Sequence, residues 1–358
     1  MMPAVKIGLE LELEIVSITY GGAGLARHEG CVVFVPFTIA GEKVRARITR
    51  VRRGWAQAKL VAVTTPSPDR VEPPCPWFTR CGGCAYQHIA YPRQLAIKSA
   101  QVEEALRRIG KFAAPPVEPA LPSPLDYGYR NRITVHIEPP DIGFRGTDPR
   151  QVVDLNRCLL ADDAVNAALT RLRAKRYWRP GPATLRANPE ARGFRQVNDG
   201  AAEILAAVVV GMAGSGEVLV DAYCGSGFFA KKLRASFTRV IGLDWDEQSI
   251  HAAGQDAEAH EDYRRGDTVE LLPAALGPAA TTVVLLDPPA QGLDPGVIDT
   301  LLGARPARVV YVSCDPATLA RDLSRLATGY QLLRAAPVDM FPQTASIETA
   351  CLLAASAN

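Results

Sequence analysis

The chain has 358 residues, with 40 Lys and Arg against 38 Asp and Glu, a net charge of +2, 47% hydrophobic and 22% charged residues. That composition supplies core material and excludes a disordered polymer, and at about 150 residues per domain the length suggests roughly two to three domains. The overall charge is too close to neutral to imply a nucleic-acid partner, so local charge has to decide.

The longest uncharged run, Leu271 to Leu286, has 16 residues and holds Pro273, Gly277 and Pro278. It falls short of the ~20 apolar residues a helix needs to cross a bilayer. The start, MMPAVKIGLELELEIV, has no basic stretch followed by an apolar one. A cytoplasmic protein with no membrane partner is therefore expected. In such a chain the eight cysteines are metal ligands, nucleophiles or core residues rather than a disulfide framework.

Residues 9–64 read as short strands: LELEIVSI alternates, CVVFVPF is β-branched, and KVRARITRV alternates again. With turns at 21–24 and Gly30, this predicts a small barrel over 1–66. Between Glu42 and Lys59 stand seven basic residues against one acid. This is either a solvated strand face or, with Trp55 beside it, a track for a nucleic-acid backbone. The proline-rich TTPSPDRVEPPCP (64–76) marks a joint. A helix is predicted from Pro92 to Ile109, with Leu95, Val102, Leu106 and Ile109 on one face and Gly110 ending it; it is expected to pack on the C-terminal domain. A linker with five prolines (113–124) follows, then strands YRNRITVHI, IGFR and QVVDL, helical stretches and a loose segment, 176–193. These make a central α+β domain over 67–190. From 191 to 358 helical stretches alternate with EVLVDAY, RVIGLD, TTVVLLD, ARVVYVSC and ETACLLA. That rhythm predicts an α/β, Rossmann-like domain with a parallel sheet covered on both faces.

The loop Asp221-Ala-Tyr-Cys-Gly-Ser-Gly-Phe-Phe-Ala230 joins a predicted strand to a helix. Gly225 and Gly227 permit a tight turn and close approach of a ligand. Gly225-x-Gly227-x-x-Ala230 also satisfies a dinucleotide fingerprint, so a nicotinamide enzyme has to be weighed. Asp221, just upstream, is poorly placed beside a pyrophosphate but suits the ammonium and sulfonium of S-adenosylmethionine. Asp244 ends the next strand, where a carboxylate binds ribose hydroxyls. Asp287-Pro-Pro289 and Ser313-Cys314-Asp315-Pro316 end two more strands at the ligand-binding edge. Cys314 there reads as a nucleophile rather than inert core. Cys75, Cys81 and Cys84 form a C-x5-C-x2-C run, and Cys158 is available as a fourth ligand. One close pair plus two solitary cysteines suits an iron–sulfur cube at least as well as zinc. Cys31, Cys224 and Cys351 read as core or loop residues.

Taken together these segments resemble the uridine-C5 RNA methyltransferases, in particular the iron–sulfur branch acting on 23S ribosomal RNA. The first 65 residues resemble that family's RNA-binding TRAM domain, and CPWFTRCGGC with Cys158 its 4Fe–4S site. FRQVN (194–198), DAYCGSGFF, DPP, VVYVSCDPATLARDL and DMFPQTASIET stand in the family's order. The resemblance implies Gln196, Tyr223, Phe228, Asp244, Asp267 and Asp287 around S-adenosylmethionine, Cys314 as nucleophile toward uracil C6, and Glu348 as general base. It implies RNA as partner, ribosomal before transfer RNA, and a monomer. A nitrogen methyltransferase using Asp287-Pro-Pro, and a non-enzymatic RNA-binding factor, are the rival readings. Three departures bear on substrate positioning. Ala290 stands where an arginine is usual, Gln343 and Ser346 where histidines are usual, and Phe228 where asparagine is usual.

Overall fold

The structure, a computed structural model, describes residues 5–175, 177–189 and 196–356. The chain divides into two compact units. One gathers Met1–Ile97, Leu125–Ala187 and Phe341–Ser346; the other gathers Lys98–Pro124, Asn188–Met340 and Ile347–Asn358.

The first unit begins with β1 (Glu10–Glu14), β2 (Ser17–Ile18), β3 (Ala23–His28), β4 (Cys31–Pro36), β5 (Lys43–Arg52) and β6 (Trp55–Thr65), in the order β1-β5-β6-β4-β3-β2. Alternation along β5 turns Val44, Ala46 and Ile48 into a core with Val33, Val35 and Ala56, and leaves Lys43, Arg45 and Arg47 outside. Gly24 has to be glycine, because a Cβ there would lie 2.0 Å from Thr38 Oγ1. The fully buried Glu42 accepts hydrogen bonds from the Ile39 and Ser67 amides and from Arg70 (2.5 Å). It thereby ties the proline-rich joint back to the barrel.

Helix α1 (Tyr91–Arg108) matches the predicted helix to within a residue; from Lys98 onward it counts with the second unit. Lys98 Nζ donates to Asp339 Oδ1 at 2.6 Å, both side chains fully buried. Removing one partner of such a pair typically costs about 3–5 kcal/mol, because the other charge is left buried. Back in the first unit, β7 (Arg132–Glu138), β8 (Asp141–Arg145), β9 (Val152–Asp154), α2 (Asp163–Arg173) and β10 (Gly181–Arg186) follow. The strands form an antiparallel sheet, β10-β7-β8-β9, with α2 supplying Val165 and Leu169 to its core. Strand β10 lies inside the segment expected to be loose. Its Pro182 and small residues carry little strand signal, and pairing with β7 fixes it.

The second unit runs α3 (Asp199–Ala213), β11 (Gly216–Ala222), α4 (Phe228–Leu233), β12 (Phe237–Asp244), α5 (Glu247–Gly254), β13 (Glu261–Arg265), α6 (Thr268–Ala275), β14 (Thr282–Leu286), α7 (Pro295–Ala304), β15 (Arg308–Ser313), α8 (Pro316–Leu326), β16 (Tyr330–Val338) and β17 (Glu348–Ala355). Its seven-stranded sheet has the order β13-β12-β11-β14-β15-β17-β16. Every residue of β14 is buried, as the interior of a parallel sheet requires. The sheet is mixed rather than all parallel: β17 pairs antiparallel with both β15 and β16. Asp246, Asp267, Asp294 and Asp315 each accept an amide hydrogen bond at the start of α5, α6, α7 and α8. No helix among the described residues is long and apolar enough to cross a membrane.

Candidate active site and four-cysteine group

The turns that follow the parallel strands of this sheet gather at one edge, and they enclose a cavity of about 820 Å³. Tyr223, Gly225 and Ser226 come from the turn after β11, Asp244 and Trp245 from the end of β12, Asp287 and Ala290 from the turn after β14, and Cys314 from the end of β15. Glu348 arrives from the other direction, as the first residue of β17. Because that strand is antiparallel, its start meets the ends of the parallel strands. The β15–β17 ladder ends where Ser313 pairs with Thr349, and the next residue of each segment, Cys314 and Glu348, lines the cavity.

The glycine turn is locked to its neighbour strand. Gly225 N–H donates to Asp244 Oδ2 (2.8 Å), and Asp246 N–H donates to Asp244 Oδ1 (2.9 Å). Tyr223, Gly225 and Gly227 all have positive φ (73°, 54° and 79°). Asp221 does not line the cavity. It is fully buried beneath the turn, and its Oδ2 accepts the Ala230 N–H (3.1 Å). Gly227 caps α4 in a left-handed conformation, and Asp267 caps α6; neither is a lining residue. Gln196, Tyr223, Gly225, Phe228, Asp244, Asp287, Cys314 and Glu348 all are. Trp245 was not anticipated. It is 75% exposed at the cavity, and its only sequence signal is a large aromatic directly after a strand-end acid.

Six carboxyl groups line the cavity, with no Lys or Arg among the described lining residues. One of the six, Glu203, is paired with Lys232 (2.6 Å). A wall of this kind repels a pyrophosphate and suits a cation, so the fingerprint that also fits a nicotinamide dinucleotide is here better matched by S-adenosylmethionine. Burial, then the nearby Asp287, holds the Glu348 carboxyl well above the usual range. Burial pushes Asp287 up to about 7. Burial, then Glu348, then Asp287 raise the Cys314 thiol to about 11, which outweighs its favourable place just before the N-terminus of α8. Chemically the arrangement sets a thiol beside a desolvated carboxyl, which is a stronger base once ionised, in a cavity whose acids suit a cation.

Two of the residues at departures from the family pattern have defined places. Ala290 lines the cavity as an exposed residue. Gln343 is buried at φ 67° and exchanges hydrogen bonds with Gln94: its N–H donates to Gln94 Oε1 (3.1 Å) and its Oε1 accepts from Gln94 Nε2 (2.9 Å). The Ala85 and Tyr86 amides also donate to the Gln343 carbonyl.

Cys75, Cys81, Cys84 and Cys158 are free thiols of intermediate burial in the first unit. The segment 75–84 is held against β8 by the Gly82 N–H donating to Arg145 O (3.0 Å), and a Cβ at Gly82 would lie 3.0 Å from that oxygen. Cys158 is held by Asn166, which accepts its N–H (2.9 Å) and donates to its carbonyl (3.0 Å). The sulfurs lie close enough to feel one another's charge. Burial first, then the neighbouring thiols, raise Cys81 and push Cys84 up to about 12. Among the described residues no three such side chains converge on a single ion. Four thiols in one unit are a donor set that either a zinc ion or an iron–sulfur centre takes.

The barrel's basic stripe divides in two. On β1, Glu10, Glu12 and Glu14 stand opposite Arg47, Arg45 and Lys43, and Glu10 bonds Arg47 at 2.6 Å. Beyond them Arg50 lies over Trp55 (5.9 Å), and Trp55 meets Phe34 edge-on.

Comparison with known proteins agrees with this geometry. A family described as tRNA (Uracil-5-)-methyltransferase matches residues 271–356, and the TRAM domain matches residues 4–61. An uncharacterized RNA methyltransferase of Nitratidesulfovibrio vulgaris is 33% identical, the match covering 97% of this chain and 96% of that protein. One of Gloeobacter violaceus is also 33% identical with the same coverage. The crystal structure of Pyrococcus abyssi tRNA (uracil-54, C5)-methyltransferase with S-adenosyl-L-homocysteine superposes with a TM-score of 0.71 at 22% identity, covering 95% of this chain and 100% of that one. It shares the fold.

Proposed function

The chain belongs to the TRAM-containing RNA uracil-5-methyltransferase family, and from that premise we propose that it transfers a methyl group from S-adenosylmethionine to carbon 5 of a uridine in structured RNA. The observation that carries the reading is that Cys314 and Glu348 line one cavity walled by carboxyls, near enough for the Glu348 charge to act on the Cys314 thiol.

Carbon 5 of uracil is a weak nucleophile. Addition of the Cys314 thiolate to carbon 6 makes carbon 5 enolate-like, dividing one hard step into easier ones. S-adenosylmethionine supplies an electrophilic methyl group when bound. Glu348 then takes the carbon-5 proton, the electrons of that C–H bond re-form the 5,6 double bond, and the thiolate leaves. Asp244 and Asp287 are assigned to hold the donor, with Tyr223, Gly225, Phe228 and Gln196 around it. A stacked base hides carbon 6, so the uridine is extruded or lies in a loop.

On this reading residues 1–66 and 67–190 hold RNA and the four-cysteine centre, and 191–358 performs the chemistry. The centre is assigned as a 4Fe–4S cluster, held by Cys75, Cys81, Cys84 and Cys158; the gathering of four soft donors, near enough to feel one another's charge, supports it. The target is assigned as 23S ribosomal RNA rather than transfer RNA, and the protein as a cytoplasmic monomer. Mass mapping of 5-methyluridine in both RNAs, from cells with and without the gene, tests this. Loss of a ribosomal site is expected. Loss confined to transfer RNA would move the target, and unchanged RNA would overturn the activity.

A further inference from the structure

Outside both sites, residues 164–189 contain no acid and six basic residues: Arg171, Arg173, Lys175, Arg176, Arg179 and Arg186. The whole chain is only +2, so this one segment carries a concentrated positive charge while the remainder is net negative. Among the described residues only Arg173 of this set is in an ion pair, with Asp154 (2.6 Å).

The segment has a fixed anchor. Trp178 Nε1 donates to Leu172 O (3.0 Å), and the ring packs on the cluster of Ile133, Val135 and Leu169. Its neighbours are displayed: Tyr177 is 79% exposed, and Lys175 and Arg179 are exposed on either side of it. Together with Pro180, Pro182 and Ile137 they line a groove of about 640 Å³ between the end of α2 and the edge strand β10. Two prolines stiffen the groove wall, so little order has to be gained on binding.

We propose that this groove is an RNA-contact surface separate from the active-site cavity, taking a single-stranded segment with one base stacked on Tyr177 and its phosphates beside Lys175 and Arg179. The proposal rests on the RNA methyltransferase reading. An exposed aromatic between cations is the pairing that single-stranded nucleic acid uses, the ring for the base and the cations for the backbone. A polyanion answers the charge; an apolar peptide does not.

The test uses the full-length protein and a fluorescent oligouridylate, read by anisotropy over a range of salt. Tyr177→Ala is expected to weaken binding roughly tenfold, and Tyr177→Phe to keep it. Lys175→Ala with Arg179→Ala is expected to flatten the log–log salt slope by about 1.4, two phosphate contacts at about 0.7 each. S-adenosylmethionine affinity is expected to stay as in the parent, which separates a lost contact from a lost fold. If the parent binds and the variants bind equally, the groove is overturned and the methyltransferase reading stands. If the parent binds no RNA at all, both fall. Capture of a polyglutamate peptide in place of oligouridylate, lost in the same variants, would overturn the RNA assignment.

Discussion

Cys314 and the group of Cys75, Cys81, Cys84 and Cys158 are asked, in the proposed roles, for the same species, a thiolate, in opposite surroundings. Around the group there are donors. The Gly83 N–H reaches Cys81 Sγ at 3.4 Å, the Gln87 side chain reaches Cys84, and the Leu160 and Ala161 amides and Arg130 favour a charged Cys158. Around Cys314 there are carboxyls, Glu348 and Asp287. Burial raises the thiols of both regions, Cys84 to about 12 and Cys314 to about 11, so in each a cation has to be present before the thiolate is favoured. A metal ligand has to stay anionic. For the nucleophile, a cation entering the acidic cavity favours the charged form.

The sharpest way to break this comparison is Cys314→Ala. Methyl transfer from labelled S-adenosylmethionine should fall by roughly 10⁴-fold or more, while calorimetry should find donor affinity within about twofold. A variant that keeps a few per cent of the rate would remove the thiol from the chemistry. Glu348→Gln should slow turnover by about 10²–10⁴-fold and accumulate methylated RNA joined to Cys314, visible as a retarded band on a denaturing gel. Adding Cys314→Ala should abolish that band; a folded variant that turns over normally would end the base assignment.

The other region is tested by composition. Cys84→Ser and Cys158→Ser should lose iron and sulfide from anaerobically purified protein alike, and Cys314→Ser should retain both. One zinc and no sulfide in the parent would refute the cluster. The smallest effect concerns charge. Alkylation of Cys314 should titrate near pH 11 in the protein alone. A bound sulfonium favours the thiolate, so the midpoint should move down. Each unit of movement raises the alkylation rate at pH 8 about tenfold. A midpoint that stays or rises with donor present would contradict the cation-dependent activation.

Much of the site was legible because a βαβ rhythm puts whatever follows each strand at one edge. Asp244, Asp287 and Cys314 needed only that rule. What escaped were local hydrogen bonds and neighbours distant in sequence. Asp221 and Asp267 follow the strand pattern of Asp244, and one oxygen of Asp221 braces α4 while one of Asp267 caps α6. The half-exposed, charged β13 (EDYRR) carries no apolar alternation, and Arg264 pairs with Asp262 on it. The basic stripe of β5 looked continuous, because nothing in a linear reading places Glu10, Glu12 and Glu14 beside it. The direction of β17 was invisible too: ETACLLA has the composition of a parallel core strand, and only pairing reveals that it runs backward.

That reversed strand limits how the gene can change length. Glu348 is the first residue of β17, and successive residues of a strand face opposite sides about 3.3 Å apart. A single codon gained or lost within β17 that slips its register would turn the carboxyl away from Cys314, and the turn at 341–346 ahead of it offers no slack, because Gln343 is buried and bonded to Gln94. Insertions and deletions compatible with activity should therefore spare both the strand and that turn.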